Sequence, residues 1–272
     1  MSALGVMSFD LSCSIALIGT GNVATHLAKA FAKNIKWVVS RNPDHALSLA
    51  SAIGATPLVD FDRLSHYRPD IILVSVADQA IEQVVSAVGH LAYGPLVIHT
   101  SGTVPKEVLG HISARTGIMY PLQTFSKNVP VDMKQVPFFN EACTESDLEL
   151  IDALASEASE HIYHADAAHR RMLHVAGVFT SNFTNVLLEC VEHILSEADY
   201  TLDVVRPLLE ATVSKAFEVG PHAAQTGPAR RGDRAVMQKH IEMLDGDRRE
   251  AYRVLSQMIM KNHNIPVIYE PN

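Results

Sequence analysis

Over its first half the chain places short apolar runs between stretches whose apolar positions recur at helical spacing. The first run, SIALI at 14–18, leads into the turn GTGNVA and then into a periodic segment at 26–32, an order that predicts strand, turn, helix. Further apolar runs at 36–39, 71–76 and 96–98 predict strands, and helix-like stretches at 43–53 and 78–91 lie between them. Strand alternating with helix implies parallel pairing with helices on both faces, so the predicted fold class is α/β with a doubly wound parallel sheet.

Beyond residue 160 the pattern changes. From 166 to 261 nearly every segment predicts helix, punctuated by Pro207, Gly220-Pro221, Gly227-Pro228 and Gly246. This divides the chain into a sheet domain at 1–160 and an all-helical C-terminal domain at 161–272. Pro121, Pro130 and Pro137 make 118–140 read as an irregular interdomain region that closes in a last strand at 136–139. On the helix that begins near Ala167, an advance of 100° per residue puts Arg171, His174, Val178, Ser181, Asn182, Asn185 and Glu189 within about 80° of one direction. The rest of that circumference is apolar, which predicts a helix buried on most sides with one polar stripe. An unpaired buried polar group costs roughly 1–3 kcal/mol, so the stripe implies a hydrogen-bonded network or a wet cleft.

A chain of 272 residues with 47% hydrophobic and 19% charged residues has the composition of an ordinary globular protein of about two domains. Its 22 basic residues against 30 acidic give a net charge of −8, which excludes nucleic-acid binding driven by bulk charge. Cys13, Cys143 and Cys190 lie far apart with no CxxC spacing, so neither a disulfide framework nor a thiolate metal site is expected, and no metal is assigned. The opening residues lack the pattern of an export signal, and no apolar run is long enough to suggest a membrane span. A cytoplasmic location is the expectation.

Gly19, Gly21 and Ala24 form G-x-G-x-x-A between a predicted strand and a predicted helix, the context that gives this motif its meaning. Gly19 permits the tight turn, Gly21 lets backbone amides approach a pyrophosphate, and Thr20, Asn22 and Val23 supply those amides at a helix N-terminus. The bland alternative is a tight turn with no ligand. At the end of the second strand, where NAD sites place an acidic residue, stand Ser40 and Arg41. A guanidinium pairs well with a 2′-phosphate, which favours NADP; the alternative is a solvated Arg with Asp44 on the ribose. The third and fourth strands end at Val76 and Ala77 and at Thr100, Ser101 and Gly102, candidates to line nicotinamide and substrate. Asp78 is expected to cap the following helix, and His99 to be buried. For hydride chemistry His174 is the expected proton donor, Arg171 the partner of a substrate carboxylate, and Asn182 and Asn185 orienting groups. Taken singly, each also reads as a core histidine or a surface polar residue.

GTGNVA at 19–24, HTSGTVP at 99–105, MYPLQTF at 119–125, HRRMLHVAGVFTSNFTN at 169–185 and TGPARRGD at 226–233 together resemble a Rossmann-like family known as domain of unknown function 2520, often described as an NADP oxidoreductase. More distantly the layout is similar to the 6-phosphogluconate dehydrogenase superfamily, including ketopantoate reductase and pyrroline-5-carboxylate reductase. The resemblance implies a Rossmann-type sheet followed by a 6-phosphogluconate dehydrogenase C-terminal-like helical domain, a long helix meeting the nicotinamide, and a homodimer through the helical domains. The hydroxyacid members carry Lys-x-x-x-Asn on that helix, whereas this chain has Arg170, Arg171 and His174. Arg231 and Asp233 read either as an Arg-Asp pair at a helix start or, with Ser181, as substrate-binding residues, in cis or from a second subunit. The expected function is NADP(H)-dependent hydride transfer to or from a small keto acid or imine carboxylate. A non-catalytic NADP(H)-binding sensor and a deazaflavin-linked NADP reductase are the alternatives.

Overall fold

The strands that carry the motifs are buried on both faces and feed two separate cores. In the computed structural model, which describes residues 12–267, eight strands form one sheet: β1 (Ile15–Ile18), β2 (Ile35–Val39), β3 (Thr56–Leu58), β4 (Ile71–Val74), β5 (Leu96–His99), β6 (Thr116–Pro121), β7 (Phe138–Ala142) and β8 (Ile162–His164). Residues 1–11, most of the segment read as lacking an export signal, lie outside the described residues. The helices are α1 (Asn22–Ala30), α2 (Pro43–Ile53), α3 (Arg63–Tyr67), α4 (Ile81–Val88), α5 (Glu145–Ala158), α6 (Ala167–Gly177), α7 (Thr184–Ser196), α8 (Arg206–Val219), α9 (Pro221–Ala224), α10 (Pro228–Arg231), α11 (Arg234–Met243) and α12 (Gly246–Asn262). Successive side chains of a strand point to opposite faces. Ile15, Leu17, Ile71, Leu73, Leu96 and Ile98 thus pack with Leu27 of α1, Leu49 of α2 and Leu154 of α5. Ala16, Ile18, Ile72, Val74 and Val97 pack with Leu64 of α3 and Val84 and Val85 of α4.

The sheet order is β3-β2-β1-β4-β5-β6-β7-β8. The pairs from β3 to β6 are parallel, β7 runs antiparallel to β6, and β8 is parallel to β7. The chain winds outward from β1 to β3 and then returns to lay β4 on the other side of β1. The strand order therefore reverses between β1 and β4, and a crevice opens outside their carboxyl ends, the place where open α/β sheets bind ligands.

Two readings of this half are corrected. The stretch read as irregular opens with the latter part of β6, every residue of which is buried. Its register with β5 ends at Ile118, so Pro121 has a ladder partner only on the β7 side and its missing N–H is tolerated as at a sheet edge. The following strand is shifted from 136–139 to Phe138–Ala142, and the short strands β3 and β8 add edges that the pattern did not predict.

The described residues form two compact units, one running through Asn182 and one starting at Phe183, so β8 and α6 belong with the sheet. Asp166 caps α6 by accepting from the His169 amide at 2.9 Å. The helix does not continue as a plain α-helix: residues Val178–Phe183 form a π-helical turn. A π turn bonds i to i+5, so the fixed advance that joined Arg171 to Asn185 does not hold through it. The expected burial is also absent from the chain: Met172 and Phe179 are 71% and 60% exposed. The second unit, α7 to α12, has a small core in which Ala229, Met237 and Met260 are buried, with Tyr252, Ile259 and Ile265 packed on it. No helix among the described residues is long and apolar enough to cross a membrane.

Candidate active site

A cleft of about 1010 Å3 occupies the switch point in the first unit. Its floor is the glycine turn. Gly19 has φ +119°, and a Cβ there would lie 2.1 Å from the Ser75 carbonyl oxygen, so only glycine lets the turn lie against the end of β4. Around Gly21 nothing lies within 4 Å of where a Cβ would be, which leaves the backbone open to a ligand. Among the described residues no side chain caps the N-terminus of α1. Its first amides and the helix dipole are therefore available to an anion.

At one end the cleft is walled by Ser40, Arg41, Asn42 and His45. Asn42 turns its carboxamide oxygen to the His45 amide at 3.1 Å and so starts α2, while the exposed Arg41 reaches Gln83 at 3.5 Å. A cation beside a helix N-terminus suits a phosphate. At the other end the wall is Val76, Ala77, Asp78, Thr100, Ser101, Gly102, Tyr120, Gln123 and His174.

The loop after β5 is built on His99, which is fully buried. Its Nδ1 accepts from the Ser101 amide at 3.2 Å, which leaves the proton on Nε2, facing the Pro105 carbonyl at 3.4 Å. Burial, opposed by the bond to Pro105, pulls its pKa from 6.5 to about 4, so the ring is neutral and acts as a fixed spacer. Ser101 Oγ accepts from the amides of Thr103 at 3.1 Å and Val104 at 3.0 Å, and Thr103 Oγ1 donates to Asp78 at 2.5 Å. Asp78 is therefore not the helix cap it was expected to be: Ala77 occupies the cap position, and the carboxylate ties the β4 loop to the β5 loop instead.

Tyr120 and His174 stand side by side, with the phenol oxygen 3.3 Å from His174 Nδ1. His174 is placed by Arg170, one turn earlier on α6. That guanidinium is fully buried; it donates to Glu141 of β7 and to the Ala165 carbonyl at 2.8 Å, and Lys106 also pairs with Glu141. A buried cation needs such partners, and here they hold α6 against the sheet.

Of the residues expected from the sequence, Gly19, Thr20, Gly21, Asn22, Val23, Ser40, Arg41, Val76, Ala77, Ser101, Gly102 and His174 line this one cleft. Arg171 and Asn182 are exposed in the same unit and are not among its lining residues, nor is Ser181. In the second unit, Asn185 donates to Glu189 at 3.0 Å, and Asp233 caps α11 by accepting from the Val236 amide at 3.2 Å. Arg231 is exposed at the end of α10. Tyr120 and Gln123 were missed as site residues because β6, which carries Tyr120 and leads into Gln123, was not recognised, although both lie in the motif MYPLQTF.

A glycine turn at the switch point, an uncapped helix N-terminus and an arginine at the end of β2 define a Rossmann-type dinucleotide site. The comparisons with known proteins agree. Residues 14–102 match the family model for coenzyme F420-dependent NADP oxidoreductases, and residues 136–259 match a domain of unknown function, DUF2520. The crystal structure of BF3122 from Bacteroides fragilis, designated an NADP oxidoreductase, is 36% identical over 92% of this chain and 98% of its own, with a TM-score of 0.84. The chain belongs to this NADP oxidoreductase family; it is an oxidoreductase, and its cofactor is NADP. The fold extends further, to an imine reductase from Myxococcus stipitatus in complex with NADP+ (14% identity, 92% of this chain and 93% of that one, TM-score 0.62). It also extends to Plasmodium falciparum pyrroline carboxylate reductase with NADP bound (11% identity, 91% and 98%, TM-score 0.60). No curated protein matches the chain.

Proposed function

We propose that the chain moves hydride between NADP(H) and a small carbonyl or imine compound, with carboxylate-bearing keto acids and cyclic imines as its first substrates. The observation that carries this reading is that one cleft gathers the glycine turn, Arg41 and His174. The amides of Thr20, Asn22 and Val23 would hold the pyrophosphate, Ser40 and Arg41 the 2′-phosphate, and Val76, Ala77, Ser101 and Gly102 the nicotinamide. The cofactor supplies the hydride. His174 supplies the protic side of the reaction, because a carbonyl or imine that gains hydride must gain a proton as well. The test is oxidation of NADPH, followed by nicotinamide absorbance, with ketopantoate and pyrroline-5-carboxylate. Turnover that falls sharply in His174→Gln supports the reading, and tight NADPH binding with no turnover across such a panel supports a sensor instead.

The reading includes a homodimer and a cytoplasmic location. The second unit buries few apolar side chains while Leu208, Phe217 and Val186 stand 69%, 89% and 52% exposed. Covering such side chains gains roughly 1.5–3 kcal/mol each, which favours a second copy packed on this face. Light scattering that returns a dimer mass for the wild type and a monomer for Phe217→Glu supports it; a monomeric wild type refutes it. The three free cysteines are at home in a reducing compartment.

A further inference from the structure

We infer that Tyr120 is a catalytic residue: its phenol delivers the proton to the substrate, and His174 recharges it. This rests on the reading of the cleft as a reductase site given above. Tyr120, next to last in β6, stands at the same sheet edge as the glycine turn, because β6 is parallel to β5 and β5 to β4. Its ring leaves no room for a side chain at Gly102, where a Cβ would lie 2.8 Å from Tyr120 Cζ. The Phe139 and His174 rings lie beside it, at centroid distances of 6.5 and 6.3 Å. The residue is 9% exposed, yet it belongs to the cleft wall. The hydroxyl is thus held in one place, next to the loop proposed to line the nicotinamide. Its hydrogen-bond partner is a half-buried imidazole that also belongs to the wall.

The chemistry balances. Reduction of a C=O or C=N bond adds hydride from NADPH at carbon, and the π pair moves to the oxygen or nitrogen. The Tyr120 Oη–H proton goes to that atom and the O–H pair stays behind as phenolate. His174 Nδ1–H then gives its proton to the phenolate while Nε2 takes one from a water molecule, so the ring stays neutral throughout and hydroxide is released to solvent. Burial, reinforced by the charge of Asp78, holds the phenol above its ordinary value of 10, so it rests protonated at neutral pH and its anion is promptly discharged. Imidazole is the side chain suited to pass protons between such a group and solvent.

The test compares wild type, Tyr120→Phe and His174→Gln by two readouts: calorimetry with NADPH, and the pH profile of NADPH oxidation with pyrroline-5-carboxylate and ketopantoate. Tyr120→Phe is expected to bind NADPH as the wild type does and to lose about a hundredfold or more in kcat rather than in KM. His174→Gln is expected to lose less and to decline further as pH rises and protons become scarce. A Tyr120→Phe enzyme that keeps kcat within about threefold overturns the proposal and leaves the reductase reading standing. A wild type that binds NADPH but reduces neither probe overturns both.

Discussion

The loop that shapes the reacting end of the cleft hangs on an imidazole that cannot take a proton without breaking its bonds, and this makes stability depend on pH in a calculable way. His99 is fully buried, and the charges that act on it are Arg170, which disfavours its cation, and Asp78 and Glu141, which favour it. The first effect and burial prevail. In the unfolded chain the ring titrates near 6.5, in the folded protein near 4. Between these values the unfolded state holds the extra proton, so stability is fully present above about pH 6.5 and is lost as pH falls towards 4. At about 1.4 kcal/mol per pH unit, the loss amounts to about 3 kcal/mol. His99→Gln offers one acceptor and one donor in place of Nδ1 and Nε2–H and does not titrate. Urea unfolding of both proteins from pH 7.5 to 4 isolates the effect, because other titrating groups cancel in the difference. The gap between the two stabilities is expected to change by about 3 kcal/mol over this range in the variant's favour. A difference that stays flat would refute the claim that a neutral imidazole anchors this loop.

Other outcomes follow from contacts already described. Gly19→Ala should lose NADPH affinity and about 3 kcal/mol or more of stability, because the new methyl meets the Ser75 carbonyl, as calorimetry and urea unfolding would report. Gly102→Ala should displace the Tyr120 ring, lowering turnover by about tenfold or more at a stability cost of about 1–3 kcal/mol. Thr144→Ala removes the cap that accepts from the Asp147 amide at 3.2 Å and should cost about 1 kcal/mol in the first unit without touching cofactor affinity.

What could be read from the sequence was what depends on neighbours in the chain. The turn between β1 and α1 is local, so Gly19 and Gly21 declare its geometry in the sequence. The same logic, a fixed distance along a βαβ unit, placed Arg41 at the cleft that it lines. Tyr120 was hidden because Pro121 reads as a strand breaker unless it is known that the β5 ladder has already ended at Ile118. The role of Asp78 depends on Thr103, 25 residues away, and a cap is the correct local guess for a carboxylate before a helix. The π turn at Val178–Phe183 has no signature in the apolar pattern. His174 precedes it, so its placement did not suffer from the assumed helical advance; the residues beyond it lost that support. The exposed apolar face of the second unit reads in the sequence as core, since periodicity reports that a face is to be covered and not by what.

The central claim is that the switch-point cleft grips NADP through the glycine turn and through Arg41. Calorimetric titration of the wild type and Arg41→Ala with NADPH and NADH tests it most directly. The account predicts that the wild type prefers NADPH and that the variant loses about ten- to a hundredfold in NADPH affinity, as expected for charge-assisted bonds to a phosphate, with NADH binding unchanged. Equal affinity of the wild type for the two nucleotides, or an Arg41→Ala variant that binds NADPH as tightly as the wild type, would contradict it.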